Sequence, residues 1–273
     1  MTDGSVGQSE GGQATRPSPL VQIRAIAWRS LIRTARQPAQ VVPAITFPLF
    51  LFAINAGGLD AAAGLPDFPA PDYLTFILAV PFIQAGIFAV SGVGADLARD
   101  IESGFLDRMA LTPVSRAGLV SGQIVGTIAL GIVQGTVFLL VGLAAGATLE
   151  TGVPGAFVLI ALVVSIVFAF GLIGVTAAFR FGNGEAVQGL FPVLFVFLFL
   201  STMALPKDLI AQGWFQTVAT YNPVSYLLDG IRSLFYGGWD VATLAAAFGA
   251  AAGIAAIFLP LAIVTLRARV VRT

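Results

Sequence analysis

Six stretches of the chain are almost wholly apolar, at about 41–59, 73–95, 118–147, 153–178, 187–205 and 243–266, and short polar or charged segments separate them. A helix needs about 20 apolar residues to cross a ~30 Å hydrocarbon core, so each stretch predicts one transmembrane helix. The third is longer than one crossing requires and is expected to tilt or to project beyond the bilayer. Residues 1–19 break the pattern, being Gly, Ser, Gln and Pro with almost nothing to bury, and predict a disordered tail. No apolar run falls within the first 20 residues, so no secretory signal peptide is expected and the first span serves as its own targeting signal. Residues 20–273 then form one six-span domain.

Three shorter patterns lie between and beside the spans. In "IRAIAWRSLIRTARQ" (23–37) a helix places Arg29, Arg33 and Arg36 in one stripe, with Ile23, Ile26, Ala27 and Leu31 clustered elsewhere and Trp28 suited to the headgroup level. That predicts an amphipathic helix over 22–38 lying in the membrane interface, as an anchor for the first span or also as a partner surface. Between the second and third spans, Ile101, Phe105 and Met109 repeat at i, i+4, i+8, while Asp100, Glu102, Asp107 and Arg108 are polar. The spacing predicts a short amphipathic helix over about 99–112 with Gly104 inside it. Pro113 ends it by removing a backbone donor and forcing Thr112 out of the helical region. An ordinary solvated loop is the plainer reading of the same composition. Residues 206–240 have too few consecutive apolar positions to cross but carry Trp214, Phe215, Leu227, Leu228, Phe235 and Trp239. They predict a re-entrant or interfacial helical hairpin, in which Asn222 is an N-cap, Pro223 a first helical residue, and Asp229 and Arg232 a pair three apart.

Composition agrees with the membrane class: 57% of the 273 residues are hydrophobic and 10% charged, against about 25% charged in soluble domains. The absence of Cys and His removes disulfides, thiolates, imidazole bases and the commonest metal ligands, so no metal site is expected. Zero formal net charge points to no nucleic-acid partner. The basic residues set an orientation. With the N-terminus inside, Arg16, Arg24, Arg29, Arg33, Arg36, Arg99, Arg108, Arg116, Arg180, Arg267, Arg269 and Arg272 are cytoplasmic, and Lys207 and Arg232 lie outside. Both termini and the 99–112 segment are then cytoplasmic. Thirteen Arg against one Lys is a codon-usage signature of a GC-rich bacterium, and the expected location is the bacterial cytoplasmic membrane.

The span cores hold no Asp, Glu, Lys or Arg, which argues against proton relays and ion-coupled carriers. Asn55, Gln84, Gln123, Gln134 and Gln188 are their polar groups, suited to interhelical hydrogen bonds or to substrate contact. Along the third span, glycines recur as Gly122/Gly126, Gly131/Gly135 and Gly142/Gly146, giving two small-residue faces for close helix packing.

"DIESGFLDRMALTPVSRAGLVSGQ" (100–123) resembles the cytoplasmic loop after the second span of the permeases of type-2 ABC exporters, in which a Glu, a Gly two residues later and a Thr-Pro-Val-Ser turn recur. "YNPVSYLLDGIRSLFYGG" (221–238) is similar to the Asn-Pro…Arg…Gly segment before that family's last span. The resemblance runs over roughly 20–270 and looks closest to daunorubicin-resistance-type permeases. It implies that Glu102, Gly104, Phe105, Leu106, Thr112, Pro113 and Arg116 belong to a coupling helix that docks on a separate ABC ATPase. It implies that Trp28, Arg29, Arg33 and Arg36 lie on the interfacial helix, and that Asn222, Pro223, Asp229 and Arg232 form an external gate, for which a structural lid is the alternative. Spans one, two and five would line the route. Asn55, Gln84, Phe195 and Phe197 are candidates there, although lipid-facing packing accounts equally for the phenylalanines of "LFPVLFVFLFL" (190–200).

A P-loop needs G-x-x-x-x-G-K-[ST], and the sole lysine, Lys207, follows Pro206. The chain therefore carries no cofactor of its own on this reading. ATP and Mg would be held by two copies of the partner ATPase, and a second copy or homologue of the permease would complete a two-fold pathway for a drug, lipid or lipid-linked glycan moving outward through the membrane lipid. An ion-coupled or stand-alone carrier and an integral-membrane enzyme are the other classes. The first lacks intramembrane carboxylates, and the second would rest on Asp60, Asp67 and Asp72, which have no partner base.

Overall fold

The computed structural model describes residues 38–104 and 116–270. The tail at 1–19, the interfacial helix up to 37 and positions 105–115 of the charged segment lie outside the described residues. Within them the regular structure is wholly helical: α1 (Pro38–Gly58), α2 (Tyr73–Ile77), α3 (Ala79–Glu102), α4 (Arg116–Ala144), α5 (Gly152–Phe181), α6 (Gly184–Gln188), α7 (Leu190–Phe199), α8 (Gly213–Tyr221), α9 (Pro223–Arg232) and α10 (Val241–Val270), with 3-10 turns at Asp60–Gly64 and Lys207–Leu209 and a π turn at Ser233–Gly237. Five helical segments among these residues are long and apolar enough to cross a bilayer: α1, α2 with α3, α4, α5 and α10.

The combined α2–α3 rod is the axis of the bundle. In its spanning window 83% of residues are buried, against 17% in α1 and in α10, so the two outer helices turn most of their apolar surface outward. α5 lies along α3, and α10 covers the other side of α5 together with α9. Small residues set these distances. At the α3–α5 crossing a Cβ on Gly174 would collide with the Val90 carbonyl oxygen, and one on Gly94 would stand 2.9 Å from the Gly174 oxygen. On α4, Gly131 faces Val167 and Gly135 faces Ile160 and Val163 of α5, while Gly142 packs on Leu78. The expected small-residue packing is therefore present at these three positions. Gly146 differs: it lies beyond α4 at φ +111°, a turn position with open space around it.

Local chemistry fixes the helix ends. The Asp72 carboxylate accepts from Thr75 N at 2.6 Å and starts α2. Asp240 starts α10, accepting from the hydroxyl and N–H of Thr243 and from Ala242 N, and these bonds hold its carboxyl below the usual carboxylate range. Gly182 closes α5 in the left-handed region at φ +73°.

Two sequence expectations are redrawn. The span at 187–205 is helical only from Gly184 to Phe199, with a joint at Gly189; at 1.5 Å per residue it rises about 24 Å, short of a ~30 Å core. The helix over 99–112 does not run through position 104. α3 continues to Glu102, Ser103 and Gly104 N–H groups cap Arg99 and Ile101 carbonyls, and Gly104 takes φ +64°, which a helix interior excludes. Asp100, Ile101 and Glu102 are thus the last turn of the second spanning rod.

Gly174→Ala is expected to lower the stability of the detergent-solubilised chain by about 1–3 kcal/mol, the usual penalty of overpacking against backbone. Gly57→Ala, where a methyl meets nothing within 4 Å, should leave the thermal melt unchanged within error.

Candidate functional site

α7 stops inside the protein. The last four carbonyls of a helix have no partner within it, and at membrane depth water does not supply one. Leu200 N and Ser201 N reach back to the Val196 and Leu198 carbonyls, and two side chains from the hairpin serve Phe197 and the carbonyls just beyond the helix. Asn222 donates through Nδ2 to Phe197 O (2.6 Å) and Leu200 O (3.0 Å), while its Oδ1 accepts from Val224 N (2.9 Å) and caps α9, with Pro223 as the first helical residue. Arg232, only 3% exposed, donates from Nη1 to Thr202 O (2.9 Å), from Nη2 to Met203 O (2.9 Å) and from Nε to Phe76 O (3.1 Å). Its guanidinium carbon lies 3.5 Å from the centroid of the Phe76 ring, which adds a cation–π contact. Ser225 Oγ accepts from Thr202 N, and Tyr73 OH donates to Ala204 O. Every residue from 200 to 204 except Ser201 is thereby held through its backbone by a side chain of α2 or α9, or of the Asn222 cap.

The predicted Asp229–Arg232 pair exists at 3.5 Å, but Asp229 is half exposed and is the weakest of these contacts. The carbonyl partners of Arg232 are what sequence reasoning missed. They become available only because α7 ends at Phe199, which the unbroken apolar run to 205 conceals. On the same end of the bundle, Thr151 N and Oγ1 donate to Leu234 O, and Glu150 N donates to Phe235 O. The α4–α5 connection thus clamps the π turn.

The two faces of α7 have different neighbours. Phe191, Phe195 and Phe199 repeat at i, i+4, i+8 and form a ladder whose adjacent ring centroids are 4.8 and 6.1 Å apart. Phe88 of α3 meets Phe191 at 5.2 Å, and Phe47 of α1 meets Phe195 at 6.0 Å and Phe88 at 6.1 Å. This aromatic seam joins α1, α3 and α7, and its outer members Phe47 and Phe199 are exposed. Phe195 belongs to it. Phe197 lies on the opposite face, in an apolar groove bordered by α5, α9 and α10. Gln84, one turn before Phe88 on α3, is buried, and its Oε1 has no hydrogen-bond partner among the described residues. Asn55 is turned back on its own helix, donating to Leu51 O. Gln134 makes the one cross-helix bond predicted of these amides that is seen among the described residues, to Ala44 O at 2.8 Å.

At the other end of the bundle, the Glu102 carboxylate accepts from Gly184 N at 3.1 Å. Asn183 caps the same turn by accepting from Ala186 N. A carboxylate at a helix start complements the free N–H groups there, so the final turn of α3 is tied to the first turn of α6. The Asn183-Gly184 pair was a readable cap signal; its partner 82 positions earlier was not. Of the other predicted coupling residues, Gly104 takes the positive-φ turn and Arg116 begins α4, while Phe105, Leu106, Thr112 and Pro113 lie outside the described residues. So do Trp28, Arg29, Arg33 and Arg36.

Residues 21–236 match the family described as ABC-2 type transporter. The chain is 27% identical over 262 residues to the daunorubicin resistance ABC transporter permease protein DrrB1 of Streptomyces coeruleorubidus, covering 93% of this chain and 88% of that one. It is 27% identical to the putative transport permease ycf38 of Porphyra purpurea, covering 78% of this chain and 74% of the relative. Against the protein of the same name from Pyropia yezoensis identity is 28%, over 80% and 75%.

Arg232→Met strips donors from three buried carbonyls and should cost on the order of 3 kcal/mol or more, read as loss of the folded fraction in a detergent thermal melt. Asn222→Asp keeps the acceptor that caps α9 but sets a carboxylate beside two carbonyl oxygens. It should be at least as damaging as Asn222→Ala, a ranking opposite to that of a residue acting as a helix cap alone.

Proposed function

Since the chain belongs to the ABC-2 type transporter family and is a membrane-spanning permease of that family, we propose that it is driven by a separate ABC ATPase and exports a hydrophobic or amphiphilic compound across the bacterial cytoplasmic membrane. ATP and Mg are bound by the partner, in two copies, and two permeases meet around the route. The aromatic seam between α1, α3 and α7 is the wall along which the compound passes.

The observation that carries this reading is the joint between Glu102 and Gly184. The segment proposed to dock on the ATPase, 99–112, begins as the last turn of α3, and that turn is bonded to the first turn of α6. A push on the segment therefore reaches the base of α6–α7 directly. α7 is held at its far end by Asn222 and Arg232, and the Phe191–Phe195–Phe199 face lies between these two anchorages. The arrangement supports α7 as a lever on the seam and the hairpin as its external stop, with Asp229 at the hairpin's solvent side.

An ion-coupled carrier is less well supported. All three nitrogens of the buried Arg232 already donate to backbone carbonyls, which commits it to holding the backbone rather than to exchanging an ion. The Streptomyces relative is named for daunorubicin resistance, so a planar aromatic amphiphile is the first substrate class to try.

Inverted vesicles containing the chain and its ATPase should accumulate daunorubicin on addition of Mg-ATP. Phe195→Ala should reduce the initial rate several-fold with the ATPase still bound. Glu102→Ala and Leu106→Ala should uncouple transport from ATP hydrolysis, whereas Glu102→Gln, which keeps an oxygen for Gly184 N, should retain most of it. Accumulation without ATP, or unchanged transport in both uncoupling variants, contradicts the proposal.

A further inference from the structure

The face of α7 turned away from the aromatic seam borders a groove of about 420 Å³ between α5, α9 and α10, with Ile173, Val193, Phe197, Val224 and Phe258 among its walls. Its polar wall atoms are accounted for: the Thr176 hydroxyl donates to Leu172 O and Phe258 O. The exception stands at the rim. Arg180, in the last turn of α5, is exposed and forms no ion pair among the described residues. From Phe170 to Arg180 the groove follows α5 for about 15 Å, half of a ~30 Å hydrocarbon core and so the depth of one leaflet.

We propose that this groove is a binding site for a single anionic phospholipid of the surrounding bilayer, with an acyl chain along Ile173, Val193 and Phe258 and the headgroup phosphate on the Arg180 guanidinium. Three observations select this occupant. The walls offer contact to a chain and no hydrogen bond. The cation sits where α5 leaves the apolar zone, at headgroup level, with a geometry that pairs readily with phosphate oxygens. A one-leaflet depth suits one lipid, whereas a helix of a second copy would press along the whole span and has no use for an exposed arginine at its edge. The site does not depend on the direction of transport or on the identity of the exported compound. Because its wall includes Phe197 and Val193, the lipid rests on the back of the helix whose front carries the seam.

The test is native mass spectrometry of the full-length chain released from nanodiscs containing equal amounts of phosphatidylglycerol and phosphatidylcholine with identical chains. Wild type should retain one phosphatidylglycerol about fivefold over phosphatidylcholine, the factor expected of one arginine near the headgroups. Arg180→Gln should abolish that preference while leaving the thermal melt unchanged. Val193→Trp, which fills the groove, should reduce retention of both lipids. Equal retention in wild type, or a preference that survives Arg180→Gln, overturns the proposal. So does Val193→Trp if it alters oligomeric state and leaves lipid retention intact, since a second copy would then be the occupant. Should Val193→Trp fail to fold, the Arg180→Gln comparison decides alone.

Discussion

The structure depends on how it ends a helix in a place without water. The α6–α7 segment rises about 24 Å and stops, leaving the carbonyls of Phe197, Leu200, Thr202 and Met203 in need of donors, and a buried backbone group without one costs several kcal/mol. Asn222 and Arg232 supply the donors. Burying an arginine for this purpose is costly unless its donors are used, and here all three nitrogens are used, with the face of Phe76 beneath the guanidinium. The clamp fixes α9 against α2 and against the end of α7 together. The hairpin and the end of α7 are held together by one set of hydrogen bonds.

The opposite end of the α6–α7 segment is fixed by a lighter device. One carboxylate, Glu102, receives Gly184 N–H at the exposed end of α3, in a setting where a single hydrogen bond to a charged group is worth about 1.5–3 kcal/mol at most and solvent screening lowers it further. The asymmetry suits a transporter: a deeply buried, multiply bonded anchor on one side and a solvent-accessible joint on the other, beside the segment that would meet a motor. Between them α3 and α5 are pressed together through Gly94 and Gly174 without a side chain's thickness of slack, so the axis of the bundle is stiff where the ends are asked to move.

Much of this was legible from the sequence. The apolar runs located all five long spanning segments to within a few residues, except that the second carries on to Glu102. The caps at Asn222 and Pro223 and the small-residue face at Gly131 and Gly135 followed from local chemistry. What stayed hidden was long-range. An unbroken apolar run to 205 gives no hint that α7 ends at Phe199, and the carbonyls at the stop take donors 22 to 30 residues further on. Gly104 read as a tolerated helix residue because the i, i+4, i+8 repeat of Ile101, Phe105 and Met109 outweighed it, yet it takes φ +64° and ends the rod. Phe195 and Phe197 looked equivalent in composition. Only the register of α7 against α3 puts the first in the seam and the second in the apolar groove on the other face.

In the proposed mechanism the last turn of α3 and the first turn of α6 move as one body when the partner ATPase acts. The chain has no cysteine, so Glu102→Cys with Gly184→Cys introduces a single pair at that joint. The decisive measurement is ATP-driven substrate accumulation in proteoliposomes containing this variant and its ATPase, before and after bridging the two thiols with a short bifunctional reagent. The double variant should transport poorly and bridging should restore transport, because the covalent link replaces the lost hydrogen bond. Transport that is normal in the unbridged variant and lost on bridging would mean that the joint must open during the cycle, and that the two turns do not move as one body.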